Sequence, residues 1–136
     1  MKCMLDTNIL VSAALFPNSV SAKAYFKAVT PPNKGVVCDY SMTEFRRVFN
    51  EKFPKRIQDH NHFVSIMALS VEIVPTPSEE EQDISETQLR DINDRPILRA
   101  AMAAKVDVFV TGDKDFLEAE IDRPAMLSAA EFLEGN

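Results

Sequence analysis

Apolar residues fall into short unbroken runs that alternate with longer stretches of helical spacing. The first run, Lys2–Leu5, stops abruptly at Asp6 and is followed by the helix-compatible segment Thr7–Leu15. Phe16-Pro17-Asn18-Ser19 interrupts it. Ser19–Val29 resumes the period, with Val20, Ala24 and Ala28 on one face, and residues 30–35 (Thr-Pro-Pro-Asn-Lys-Gly) read as a turn. Val36–Cys38 reads as a buried strand running into Asp39-Tyr40-Ser41. Ser41–Phe53 predicts a helix with Phe45, Val48 and Phe49 inward, ended by Pro54, and Lys55–Leu69 predicts another. Val71–Val74 is a third strand, closed by Pro75 and Pro77. The polar, acidic stretch Ser78–Asp91 reads as solvated. Asp94–Lys105 predicts a helix with Pro96 in its first turn and Ile97, Leu98, Ala101 and Met102 on its apolar face. Val106–Val110 is a fourth strand, left through Thr111-Gly112-Asp113. Ala125–Leu127 is a candidate fifth, before a short helix at Ser128–Leu133.

Apolar strands alternating with amphipathic helices imply an α/β domain: a central parallel sheet of four to five strands covered on both faces. No repeat or linker divides residues 1–136, so one domain is expected. With 46% hydrophobic and 26% charged residues the chain has the material for a core, and no apolar run is long enough to span a bilayer. An acid at position 6 leaves no room for a signal peptide, and a cytoplasmic protein is expected. Cys3 and Cys38, each inside an apolar stretch, read as core thiols rather than a zinc site or a disulfide. The net charge of −6 argues against a protein that coats nucleic acid by neutralising phosphates, but it does not exclude a nuclease whose bound cations offset it.

In open parallel sheets ligands bind at the carboxyl ends of the strands. Asp6 follows the first strand and Asp113 the fourth; Glu44 lies one turn into the helix after the second, and Asp94 opens the helix that feeds the fourth. Gathered in one cleft, four carboxylates repel each other unless a hard divalent cation, magnesium or manganese, resolves the repulsion. Metal-assisted phosphodiester hydrolysis is the chemistry that follows. Each acid also has a plainer reading. Asp6 and Asp94 are suitable helix N-caps, Ser41 to Glu44 has capping-box spacing, and Asp113 is a turn residue after Gly112. Asp115 is balanced between the two readings, whereas Asp91, Asp107 and Asp122 read as surface or turn acids. His60 and His62 sit in a polar part of a predicted helix, away from any strand end.

The segments Leu5–Ala13 (LDTNILVSA), Asp91–Leu98 (DINDRPIL) and Val110–Leu117 (VTGDKDFL) resemble, in order, acidic motifs of the PilT N-terminus (PIN) domain family. Ser41–Phe45 resembles its serine-spaced glutamate, and Leu127–Leu133 the ending of one bacterial branch. The resemblance spans essentially the whole chain. It implies a three-layer α/β/α fold and a metal-dependent endoribonuclease. Asp6, Glu44, Asp94 and Asp113 would hold Mg2+ or Mn2+, and Thr111 would position a water or an acid. Asn8 would orient Asp6, with Ser41 and Asp115 as further supports. It also implies an RNA substrate, a toxin role with a cognate antitoxin, and a homodimer. For RNA contact the chain offers Arg46, Arg47, Lys52, Lys55 and Arg56, and Arg95, Arg99 and Lys114 near the acids; Arg46, Arg95 and Lys114 are the leading candidates. The plainer reading of the basic residues on 46–55 is the polar face of ordinary helices.

Three rivals share the fold class. A metal- or RNA-binding module without turnover is the nearest, although such a module usually lacks one of the acids. A phospho-acceptor receiver domain wants paired acids before its first helix, and Asp6 has no acidic neighbour. A haloacid-dehalogenase-type phosphatase wants a second Asp where Asn8 stands.

Overall fold

Five strands form one all-parallel sheet in the computed structural model, which describes residues 1–135. They are β1 (Lys2–Leu5), β2 (Lys34–Cys38), β3 (Val71–Val74), β4 (Val108–Val110) and β5 (Ala125–Leu127), paired in the order β3-β2-β1-β4-β5. The α-helices are α1 (Thr7–Leu15), α2 (Val20–Val29), α3 (Asp39–Lys52), α4 (Ile57–Met67), α5 (Arg95–Ala103), α6 (Lys114–Leu117) and α7 (Ala129–Glu134). Because the central strand is buried on both faces, β1 alternates not between apolar and polar but between two cores. Cys3 and Leu5 join one core, built from α1 to α4 and α7; Met4 joins the other, built from α5, α6 and Leu89. The result is the three-layer α/β/α arrangement. No helix among the described residues is long and apolar enough to cross a membrane.

Local chemistry explains most boundaries. Ser19 caps α2 through the Ala22 N–H, and Ser128 and Glu131 form a reciprocal capping box on α7. Gly35 of β2 passes so close to the end of α2 that a Cβ there would meet Val29 Cγ1 at 2.6 Å. At the end of α5, Lys105 takes a left-handed backbone (φ 54°). The chain therefore enters β4 only at Val108, two residues later than the apolar run suggests.

Several expectations are corrected. Helix α3 starts at Asp39, directly out of β2, so Ser41 lies inside its first turn. There its hydroxyl accepts from the Cys38 thiol at 3.4 Å, and the Ser41–Glu44 capping pair does not form. His60 is not on a polar face; it is buried against Phe45 and Phe49, with ring centroids 4.6 and 5.5 Å away. The acidic stretch after β3 is exposed over Glu79–Asp83, but Glu86 is only 1% exposed. Its carboxylate accepts two bonds from Arg99 of α5 (2.8 and 3.2 Å) and one from the Asp83 N–H (2.6 Å). Arg99 also donates to the Pro77 carbonyl at 3.0 Å, so residues 77 and 86 are both tied to α5.

Candidate active site

Strand order reverses about β1: β2 and β3 lie to one side, β4 and β5 to the other. The carboxyl ends of β1 and β4 therefore flank the crevice where an open parallel sheet binds ligands. Asp6 leaves β1 there, and Thr111 to Asp113 leave β4. Oδ1 of Asp6 accepts from the Thr7 N–H at 2.8 Å. Its Oδ2 accepts from the Thr111 hydroxyl at 2.7 Å and from Asn8 Nδ2 at 3.2 Å. Asn8 in turn accepts the Gly112 N–H at 3.0 Å, which turns its amide nitrogen toward Asp6 and ties the two strand-end loops together. Burial pushes the Asp6 carboxyl up to about 6 against the pull of the Thr111 and Thr7 hydrogen bonds, with Glu44 and Asp113 adding repulsion.

Glu44 enters from the first half of α3. Thr7 donates its hydroxyl to Glu44 Oε1 at 2.5 Å, and Arg47 sits 3.6 Å from Oε2. Asp94 occupies the N-cap position of α5, yet its side chain makes no capping bond. It meets Asp113 and Asp115 instead: one carboxylate oxygen from each lies within 4.8 Å of the others. Asp94 Oδ2 is buried and, among the described residues, has no hydrogen-bond partner. Burial first, then the charges of Asp113 and Asp6, push the Asp94 carboxyl up to about 8. Asp113 does cap α6, accepting the Asp115 N–H at 2.9 Å, while its own N–H donates to Thr111 Oγ1 at 3.0 Å. Asp115 pairs with Arg90 at 3.0 Å, and Arg90 reaches Glu118 at 3.5 Å.

Asp6, Glu44, Asp94 and Asp113 thus line one cavity of about 390 Å³, together with residues of α1 and α3. Acids this close, one with an unpartnered buried oxygen, fit a small hard cation: the donors are all oxygen, and the cation offsets the burial and the repulsion that together raise the Asp94 carboxyl. Thr7, which the sequence reading left out, is a contact of Glu44. Asp115 stands nearer the acid cluster than its expected supporting place. Ser41 makes no bond to an acid. Arg46 is exposed on α3 and does not line the cavity; Arg95 donates to the Leu89 carbonyl at 3.1 Å; Lys114 is exposed at the start of α6.

A family model described as the PIN domain matches residues 2–115. Among solved structures, VapBC2 from Rickettsia felis bound to a DNA fragment from their promoter is 18% identical, the match covering 94% of this chain and 98% of that one with a TM-score of 0.70. VapBC-1 from nontypeable Haemophilus influenzae is 16% identical over 96% and 99%, with a TM-score of 0.66. VapC20 from Mycobacterium tuberculosis, a sarcin-ricin loop cleaving toxin, is 12% identical over 88% and 95%, with a TM-score of 0.59. At these identities the likeness is one of fold. No curated protein matches the chain. The family match over most of the length, the reversed parallel sheet and the acids at its switch point agree, and the chain belongs to the PIN domain family.

Proposed function

We propose that this protein is a metal-dependent endoribonuclease acting as one domain over residues 1–136. Asp6, Glu44, Asp94 and Asp113 are the residues that would hold magnesium or manganese, with Asp115 beside them. The observation that carries the reading is Asp94: a buried carboxylate oxygen without a partner, facing Asp113 and Asp115 in a cavity it shares with Asp6 and Glu44. A bound divalent ion supplies charge neutralisation at the phosphodiester and lowers the pKa of an attacking water. The chain's own groups do the positioning. Thr111 and Asn8 both hold Oδ2 of Asp6 while the Thr7 N–H holds its Oδ1, Thr7 and Arg47 hold Glu44, and the Asp115 N–H holds the Asp113 carboxylate.

Cleavage of a mixed single-stranded RNA pool with manganese, with magnesium and with chelator tests the reading. Metal-dependent cutting is expected, reduced about 100-fold or more in Asp6→Asn, Asp94→Asn and Asp113→Asn protein that remains folded. Folded wild-type protein that binds the metal and RNA without cutting would make it a binding module instead. The same reading includes a toxin role with a cognate antitoxin, supported by the fold shared with VapBC2 and VapC20, and a homodimer, which rests on the family resemblance of the sequence alone. Growth arrest on induction, relieved by a co-expressed antitoxin, and a dimer mass by light scattering are the expected results.

A further inference from the structure

The acid cavity continues between α1 and α3, and its far end is chemically unlike its near end. Glu44, Val48 and Lys52 follow each other at four-residue spacing along one face of α3, placing Lys52 about 12 Å from Glu44 along the helix axis. Val11 and Ser12 of α1 form the facing wall, and Phe53, whose ring packs on Phe49 with centroids 5.7 Å apart, closes the end. Among the described residues Lys52 makes no ion pair, while Arg47 is engaged with Glu44 and Arg46 lies off the cavity. The groove therefore runs from acids, past two valines, to one uncommitted cation with an aromatic ring beside it.

We propose that this groove is a subsite for the RNA strand adjoining the scissile phosphate: Lys52 holds a neighbouring backbone phosphate, Val11 and Val48 take the ribose between, and Phe53, beside Lys52, takes a base. The inference rests on the ribonuclease reading and adds where the strand lies. Charge complementarity selects the occupant. A chain of net charge −6 repels a polyanion, so beyond the metal-neutralised acids a strand gains most where a free cation faces it. Sequence-tolerant strand binding combines such a cation with an aromatic platform, the pairing that Lys52 and Phe53 provide.

The test uses full-length protein and a fluorescein-labelled, mixed-sequence 12-mer of single-stranded RNA. Binding is followed by anisotropy in magnesium, in an Asp113→Asn background that leaves the strand uncut. Lys52→Ala is expected to weaken binding about 5- to 10-fold and to lower the salt slope by roughly 0.7, as for one lost phosphate contact. Lys52→Glu is expected to weaken it further, and Lys52→Arg to restore it. In the otherwise unaltered protein the same variants should raise KM for the RNA pool by similar factors while kcat changes less than twofold. Lys23→Ala, on α2 and outside the cavity, is the control for a lost surface charge. Wild-type cutting with Lys52 variants no different from Lys23→Ala would overturn the subsite alone and leave the groove to an apolar peptide. Wild-type protein that neither binds nor cuts RNA would remove the ribonuclease reading and the subsite together.

Discussion

Thr7 and Glu44 meet across the cleft at 2.5 Å, joining the first residue of α1 to the acid that α3 contributes. The bond spans 37 positions of sequence and leaves Glu44 Oε2 to face Arg47. Without the hydroxyl, Glu44 would be held by one exposed arginine only. Thr7→Val, which keeps the shape, is expected to lower metal affinity about 10- to 100-fold, as loss of a ligand-orienting partner does. Thr7→Ser should restore most of it. Calorimetric titration with manganese checks both; equal affinity in Thr7→Val would show that Glu44 needs no such support.

Stability of the metal-free protein should fall as pH rises. Asp6 and Asp94 bind protons more tightly folded than unfolded, so their contribution is complete below pH 4 and is lost as pH climbs toward about 6 for Asp6 and about 8 for Asp94. For the fully buried Asp6 the loss is on the order of 3 kcal/mol. Asp83 and Glu131, whose carboxyls are held below the usual range by their caps, act at lower pH and do not offset it. Thermal melts in chelator should give a Tm that declines between pH 5 and 8, with added magnesium or manganese raising Tm more at pH 8 than at pH 5. Asp94→Asn should flatten the decline. An unchanged slope in that variant would mean Asp94 is not the proton-binding group.

The Arg99–Glu86 pair is buried on both sides, at 7% and 2% side-chain exposure. Removing one partner strands the other charge, which costs about 3–5 kcal/mol. Arg99→Met and Glu86→Gln should each lower the urea midpoint strongly, whereas the double change should cost less than the two added together. Additive losses would mean the two groups do not depend on each other.

Lys105 is the one non-glycine residue with positive φ among those described. Lys105→Gly removes the Cβ penalty at that helix end and is expected to stabilise the fold by about 0.5–1 kcal/mol. Urea unfolding of the two proteins decides it, and a loss of stability would show that the lysine side chain contributes more than its backbone costs.

The sheet and four acids were legible because they follow from one-dimensional rules. An apolar run that ends in an acid marks a strand edge, and the positions of Asp6 and Asp113 after β1 and β4 are independent of how the helices pack. What was not legible depends on facing elements. Whether Glu44 caps its own helix or crosses to Thr7 is decided by where α3 begins, and β2 passes into α3 with no turn residue to signal it. Glu86 sits in a run of acids, and only its pairing with an arginine 13 residues on distinguishes it from its neighbours. Lys52 and Arg46 are both polar positions of the same helix; the position of α1 determines which of them borders the cavity. The short α6 was missed because four residues carry no period.

The reversal of the sheet about β1 also sets an order in time. Of these five strands β1 is made before the other four and becomes the central one, and its other neighbour, β4, is supplied only after some 100 further residues; Thr111 reaches Asp6 across 105 positions. A chain still emerging from the ribosome can lay β2 and β3 beside β1 while half the cleft, with Asp94, Thr111 and Asp113, does not yet exist. On the ribonuclease reading this is a safeguard for the cell that makes it. The nascent protein is harmless to the RNA around it, a product ended before Asp113 stays inert, and any partner that restrains the enzyme has until β4 and its loop are made to be ready.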